Sequence, residues 1–193
     1  MDDSLKKIES GDRTVWITQP NEIENIIDKR ETAFNIAKEK LTNEPDKIET
    51  AMQIAEAFGR GMFEEFINNK NSEEWTMEKW VKPIVGNIFN PMGTTATFTK
   101  ITEDEAKSLI FRCQLHEDSK EPHIASLFTY GFLRGMLLSA FPDGELLMIS
   151  NISEGAPMTE FIFKAKATDG DRLERERVKN SFEHITEKFK NSD

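Results

Sequence analysis

The chain has 193 residues, of which 37% are hydrophobic, and it carries a net charge of −10 at pH 7. This length suits one domain with an ample core, and fourteen Phe and three Trp supply the apolar surface that a disordered chain lacks. The acidic charge argues against a nucleic acid or an anionic membrane as partner, since both bind basic surfaces.

The cysteine count and the apolar segments indicate in which cellular compartment the protein is found. One cysteine excludes an intrachain disulfide and a cysteine-rich metal site, and it favours a reducing, cytoplasmic setting. Residues 1–13 lack the apolar segment of a signal peptide. The run 124–141 approaches the length of a membrane span, but polar residues such as Thr129 and Arg134 favour a buried helix. We therefore expect a cytoplasmic protein without a membrane span, a metal or a cofactor.

The first half of the chain is predicted to be mainly helical. After a short apolar stretch at 14–18, one helix starts near Pro20 and a second covers 48–66. A third helix extends to Ile88 and is either kinked or started at Pro83. The apolar residues of the first helix recur at helical spacing: Ile23, Ile26, Ile27, Phe34, Ala37 and Leu41.

A change of the apolar period from 3.6 to 2 residues marks the start of a sheet. Residues 95–101 predict a strand, because β-branched residues alternate with others. Leu109, Phe111 and Cys113 share one face of the next strand, which ends in a polar loop. The buried helix 124–141 follows this first hairpin.

A second hairpin is predicted from 145–151 and 158–166, with Phe161 and Phe163 on one face. A last helix begins at Asp169-Gly170-Asp171. Its predicted apolar face consists of Leu173, Val178, Phe182, Ile185 and Phe189.

These elements predict one α+β domain over residues 1–193. It contains N-terminal helices at 19–89, a hairpin–helix–hairpin core at 94–167 and a C-terminal helix at 171–190. The sheet is expected to have four antiparallel strands, covered by the helices. The apolar stripe of 48–66 is longer than so small a sheet requires, so we expect a homodimer formed through this helix.

Arg134 is the leading candidate for binding chemistry, because it is the one charge in the run 124–141. A guanidinium stays charged and is costly to bury unpaired, so it must meet a carboxylate, a bound anion or water. One interpretation is a contact to the carboxylate of a ligand, shared by Tyr130 one turn away. The other is an ion pair with a protein carboxylate such as Glu154 or Glu160, or exposure to solvent.

Neighbouring residues complete this predicted ligand site. Phe111 and Phe161 are expected to supply apolar contacts to the ligand. Gly131 and Gly135 are four residues apart, so they lie on one side of the helix and allow it to approach the sheet closely.

Three residues are weak candidates for catalysis. Cys113 and His116 form a C-x-x-H motif, which one interpretation takes as a nucleophile and its base, while His123 lies at the start of a helix. A metal site would require two further ligands at suitable spacing, which the sequence does not supply. A small buried thiol next to Phe111 explains Cys113 equally well, and a surface position is the alternative for His123. The sequence leaves open whether the protein is an enzyme.

Two motifs resemble those of a known group of domains. They are Gly131-x-x-x-Gly135 in the central helix and GAPMTEF at 155–161 in the last hairpin. Together with the order of elements, they resemble the 4-vinyl reductase-like domain superfamily, which also includes transport-particle subunits and haem nitric-oxide sensors. Within the same broad pattern the chain is similar to the family of L-2-amino-thiazoline-4-carboxylic acid hydrolase, and the resemblance covers about residues 50–167. Thr159 stands where the 4-vinyl reductase pattern has a cysteine, so the resemblance carries no metal site over to this chain.

The resemblance implies two functions, and a third hypothesis comes from another class of protein. The first is binding of a small molecule, anionic or carboxylate-bearing, in a pocket between the sheet and the helices. The second is hydrolysis of a small, carboxylate-bearing, amide-like ring. The third is a dimeric scaffold subunit that binds no small molecule.

Overall fold

A computed structural model describes residues 4–10, 13–43, 48–67, 74–112, 115 and 122–190. Within these residues it contains six β-strands and five α-helices. The strands are β1 (Leu5–Ser10), β2 (Arg13–Thr18), β3 (Thr95–Ile101), β4 (Glu105–Arg112), β5 (Glu145–Ser150) and β6 (Thr159–Lys164). The helices are α1 (Glu24–Asn43), α2 (Ile48–Phe66), α3 (Met77–Ile84), α4 (Pro122–Ala140) and α5 (Glu174–Lys190). None of these helices combines the length and the apolarity that crossing a membrane requires.

All six strands form one antiparallel sheet in the order β1-β2-β3-β4-β6-β5. The α+β class is confirmed, but the prediction of four strands is wrong, because it missed the hairpin of β1 and β2. β1 has the sequence LKKIES and is exposed on both faces, so it carries no apolar alternation. β2 coincides with the short apolar stretch, and its Trp16 pairs with Phe98 of β3.

Side chains of the sheet alternate between an inner face, which is buried, and an outer face. Phe161 and Phe163 both lie on the inner face, as predicted. On β4 the buried residues include Ile110, whereas Phe111 is 42% exposed on the outer face. Leu109 and Phe111, which were predicted to share a strand face, therefore lie on the outer face of the sheet. Because Leu109, Ile110 and Phe111 are all apolar, this segment has no alternation from which the inner face can be read.

The central helix α4 packs closely along α2 through three glycines. A Cβ atom on Gly59 of α2 would overlap the carbonyl group of Phe132, and one on Gly135 would overlap the carbonyl group of Glu56. A Cβ on Gly131 would lie 2.8 Å from that of Ala55. The prediction that Gly131 and Gly135 bring α4 close to the sheet is therefore wrong, since these glycines bring it close to α2.

The apolar stripe of α2 is buried within the chain. Ile48, Met52, Ala55 and Met62 are buried and belong to the hydrophobic core. The length of this stripe therefore no longer argues for a dimer formed through α2, and dimerisation itself stays a prediction.

Three helix boundaries differ from the predicted ones. α1 begins at Glu24, a turn later than expected. α3 includes Pro83 and continues into a π-helical segment, Val85–Phe89. Pro83 has no N–H to donate, so it disturbs the bonding of the helix without ending it. α5 begins at Glu174 after a short 3₁₀ turn, which leaves Leu173 70% exposed and off the predicted apolar face.

Candidate functional site

Arg134 is held by two carboxylates of the protein. Its Nε donates to Glu145 Oε1 at 2.8 Å, and its Nη2 lies 3.4 Å from Glu145 Oε2. Its Nη1 donates to Glu56 Oε1 at 3.0 Å. Burial lowers the pKa of Arg134, but the hydrogen bond and the charge of Glu145 outweigh it and raise that pKa above its ordinary value. Arg134 is therefore firmly charged and paired at both ends of its guanidinium group.

A second arginine extends this ion-pair network to the C-terminal helix. Arg175 of α5 binds Glu56 through Nε at 3.2 Å and Glu49 through Nη1 and Nη2 at 3.0 and 2.6 Å. The hydrogen bond from Arg175 lowers the pKa of Glu49. The network thus joins α2, α4, α5 and the start of β5, a structural role that favours the ion-pair interpretation of Arg134. The partners are Glu56 and Glu145, whereas Glu154 and Glu160 bind Ser181 and Lys107.

The other predicted ligand residues lie apart from one another. Tyr130 is fully buried, and burial together with the charge of Glu145 raises the pKa of its hydroxyl group. Phe161 is in the core under the sheet, while Phe111 is on the opposite, outer face. None of these residues, nor Arg134, lines the small cavity that lies beside Arg30. The predicted site therefore does not assemble as one pocket.

Of the weak catalytic candidates, Cys113 and His116 lie outside the described residues. His123 is in the first turn of α4 and is 5% exposed, so the surface position considered for it is wrong. One turn later, Ser126 donates to Asn151 Oδ1 at 2.8 Å. Within the described part of the chain, no three His, Cys, Asp or Glu side chains are grouped so that they could hold a metal ion.

A different arginine, Arg30 of α1, is buried in an apolar environment. It is 2% exposed. Its Nη1 donates to the carbonyl oxygen of Met92 at 3.1 Å, while its Nε and Nη2 have no hydrogen-bond partner among the described residues. Among the described residues its ion-pair partner is Glu31, whose Oε1 lies 3.9 Å from Nη2, beyond hydrogen-bonding distance. Burying such a charge costs folding free energy, so we expect the position of Arg30 to serve a function.

The start of α1 is anchored in a way that positions Arg30. Backbone N–H groups of Asn21 and Ile23 donate to the carbonyl oxygens of Asn90 and Pro91, both at 2.8 Å. These bonds attach α1 to the turn that follows the π-helical segment, and Met92 is part of that turn. The guanidinium of Arg30 is therefore held between α1 and the turn 90–93.

Arg30 lies in the wall of a small cavity between α1, the turn 90–93, β4 and α4. The cavity has a volume of about 20 Å³. Its other walls are mostly apolar: Phe89, Met92, Thr94, Ile110, Leu115, Phe128, Thr129, Phe132 and Leu133. The rings of Phe128 and Phe132 are stacked with centroids 6.4 Å apart, and Phe58 stacks on Phe132 at 5.3 Å. A cation in such a wall favours a ligand with an anionic group and an apolar body.

Arg134 shows which edge of the Arg30 guanidinium is unpartnered. In Arg134 the Nε and Nη2 atoms bind the two oxygens of Glu145 side by side. In Arg30 the same two atoms are those without a hydrogen-bond partner among the described residues. The two N–H groups of this edge match the two oxygens of a carboxylate, so they can donate to a carboxylate from outside the chain.

Sequence reasoning missed Arg30 because it stands in the charged segment Asp28-Lys29-Arg30-Glu31, which is typical of a solvated helix surface. A signal was nevertheless present. Ile26 and Phe34 are both buried, and Arg30 lies four residues from each, on the same side of α1. An arginine at helical spacing between two apolar residues is the pattern that predicts this site.

Comparison of the sequence with models of known protein families gives no match, and comparison with curated proteins gives no significant match. The resemblance to the 4-vinyl reductase-like superfamily and to the thiazoline carboxylate hydrolase family therefore stays a prediction.

Proposed function

We propose that the protein binds a small, carboxylate-bearing molecule in the cavity beside Arg30. The observation that supports this most strongly is the unpartnered Nε–Nη2 edge of a guanidinium that is 2% exposed. This proposal keeps the predicted class of ligand and moves the anion contact from Arg134 to Arg30. The single cysteine leads us to place this activity in the cytoplasm.

The energetics of a buried charge favour an anionic ligand. Burying a cation whose ion-pair partner is too distant for a hydrogen bond costs several kcal/mol, and a carboxylate on the Nε–Nη2 edge offsets that cost by accepting two charge-assisted hydrogen bonds. A hydrogen bond to a charged group contributes about 1.5–3 kcal/mol, which corresponds to about a ten- to hundredfold gain in affinity. A cationic molecule of the same shape, or a neutral one without an acceptor, would leave the Nε–Nη2 edge of Arg30 without a hydrogen-bond acceptor.

The dimensions of the cavity limit the ligand. A cavity must offer about 10–15 Å³ to hold one water molecule, so 20 Å³ accommodates a group of about the size of a carboxylate. A longer acyl chain requires the apolar walls to move. Met92 is suited to this, because an unbranched side chain changes rotamer easily. We therefore assign the carboxylate to Arg30 and the apolar remainder of the ligand to the side of Met92, Phe128 and Phe132.

Titration calorimetry with hexanoate tests this proposal. Wild-type protein should bind hexanoate, whereas hexanol and hexylamine, which share its chain, should bind much more weakly. Arg30→Met should weaken hexanoate binding by about ten- to hundredfold. Arg60→Met is the matched control, because Arg60 is exposed on α2 and does not line the cavity. Equal hexanoate affinity in wild type and Arg30→Met would contradict the proposal.

A further inference from the structure

The sheet has two edge strands, β1 and β5, and an edge strand presents unpaired N–H and C=O groups to other extended chains. β1 has the sequence LKKIES, and lysines on an edge discourage such pairing. β5 has the sequence ELLMIS, with four consecutive apolar residues and neither lysine nor proline. An apolar edge of this kind pairs readily with another strand unless the rest of the chain covers it.

Both backbone groups of Met148, near the middle of β5, are bound by side chains of α5. Its N–H donates to Glu174 Oε1 at 2.9 Å, and its carbonyl oxygen accepts from Arg177 Nη2 at 2.6 Å. Glu174 and Arg177 also bind each other, through Nε and Oε2 at 2.7 Å and through Nη2 and Oε1 at 2.6 Å. In an antiparallel sheet, one residue of a neighbouring strand forms the same two backbone bonds. The pair Glu174–Arg177, which we name the edge cap, therefore takes the place of a neighbouring strand at Met148.

A second N–H group of β5 is bound in a similar way. Leu146 donates its N–H to Oε1 of Glu145 at 3.1 Å, and Glu145 is itself held by Arg134. Alternate residues of a strand direct their N–H groups to the same side, so Leu146 and Met148 belong to the same edge. Two successive N–H groups of this edge are thus bonded to carboxylates and are closed to another strand.

The edge cap is held in place by the packing of α5. Val178 and Phe182 of this helix are buried and belong to the hydrophobic core. Arg175, which follows Glu174, joins α5 to α2 through the ion-pair network. The side chain of Glu174 is 11% exposed, so water competes little for its bond to Met148. The edge cap is therefore a fixed part of the fold, and it opens only if α5 shifts or one of its two side chains is lost.

We propose that the edge cap keeps β5 from pairing with β5 of a second copy of the chain. Without the cap, the N–H and C=O groups of Met148 lie open in the middle of an apolar edge. When Leu147 lies opposite its own copy in an antiparallel pair, Leu146 lies opposite Met148 of the second copy, and these two residues can exchange both backbone bonds. The residues of the edge cap do not line the cavity beside Arg30, so the proposal is independent of the ligand proposed there.

Sedimentation equilibrium from micromolar to millimolar concentration tests the proposal with Glu174→Ala. This variant should exceed the mass of wild type at equal concentration and approach twice that mass as the concentration rises. Glu176→Ala is the matched control, because it removes the same charge from an exposed position of α5 and should sediment as wild type does. Adding Ile149→Lys to Glu174→Ala should restore the wild-type mass, since a lysine on an edge strand opposes pairing and Ile149 is 54% exposed.

Circular dichroism establishes that each variant is folded. If Glu174→Ala does not fold, Arg177→Ala decides the question, because the Arg177 side chain is 57% exposed and its loss removes the donor to the Met148 carbonyl oxygen. A folded Glu174→Ala that keeps the wild-type mass overturns the proposal. Equal association of Glu176→Ala assigns the effect to the lost charge and overturns it as well, and so does association that Ile149→Lys leaves intact.

Discussion

Gly135 of α4 lies directly against the backbone of Glu56 of α2. A Cβ atom on Gly135 would overlap the carbonyl oxygen of Glu56, whose side chain binds Arg134, the residue that precedes Gly135. The absence of a side chain at 135 allows the two helices to approach, and this approach brings the carboxylate of Glu56 within 3.0 Å of the guanidinium. Close packing and the buried ion pair are therefore parts of one contact.

Gly135→Ala should destabilise the fold strongly. The added methyl group has to displace a backbone carbonyl of a packed helix, and overpacking that shifts the backbone costs about 1–3 kcal/mol or more. Gly61→Ala on α2 is the control: a Cβ there meets nothing within 4 Å, so the better helix propensity of alanine should stabilise by about 0.5–1 kcal/mol. Urea denaturation measures both, and a Gly135→Ala loss below about 1 kcal/mol would contradict the packing.

Arg134→Met should lower stability without affecting hexanoate binding. The substitution leaves Glu145, whose side chain is 4% exposed, without its cationic partner, and breaking such a buried pair costs about 3–5 kcal/mol. Lys107→Met breaks the more exposed pair with Glu160 and should cost about 0–1 kcal/mol. Chemical denaturation measures the stability of Arg134→Met, and calorimetry measures its affinity for hexanoate. If Arg134→Met loses hexanoate binding at unchanged stability, Arg134 and not Arg30 is the anion contact.

Asp171 should contribute to stability in a way that disappears in acid. Burial raises the pKa of Asp171, but hydrogen bonds from Lys164 and Thr168 outweigh it and lower the pKa to about 2 from an ordinary 3.8. Because the folded state has the lower pKa, the contribution is present in full above about pH 4 and is lost as the pH falls towards 2.

The midpoint of thermal unfolding tests this pH dependence. Asp171→Asn should unfold at a lower temperature than wild type at neutral pH, and the difference should close between about pH 4 and pH 2. Asp169→Asn provides the control, since Asp169 is exposed in the same turn and should change little at any pH. A wild-type advantage over Asp171→Asn that persists unchanged at pH 2 would disprove the assignment.

Much of the fold was predictable from local pattern. The alternation of β3 and the helical stripe of α2 are strong signals, and their bounds agree with the predicted ones at 95–101 and 48–66. The hairpin of β1 and β2 was missed because LKKIES is exposed on both faces, so neither of its faces is apolar. Its pairing with β3 is a long-range contact that no local period encodes.

The candidate site was less predictable. Arg134 looked isolated, because its partners Glu56 and Glu145 are distant in sequence or outside the apolar run. Arg30 looked ordinary, because its charged neighbours Asp28 and Glu31 are exposed while its own side chain is buried. Whether a cation is paired depends on which helices pack together, and the glycine contact between α2 and α4 decides that for Arg134.

The central claim is that Arg30 binds a carboxylate through Nε and Nη2, and the NMR signal of its Nε–H group tests this most directly. The signal is assigned by its absence from the spectrum of Arg30→Met. Hexanoate should shift the Arg30 signal downfield, as a new charge-assisted hydrogen bond does, whereas hexanol should leave it in place and the Arg134 signal should not move. An Arg30 signal that hexanoate leaves unchanged while hexanoate binds, or a shift at Arg134 in its place, would contradict the claim.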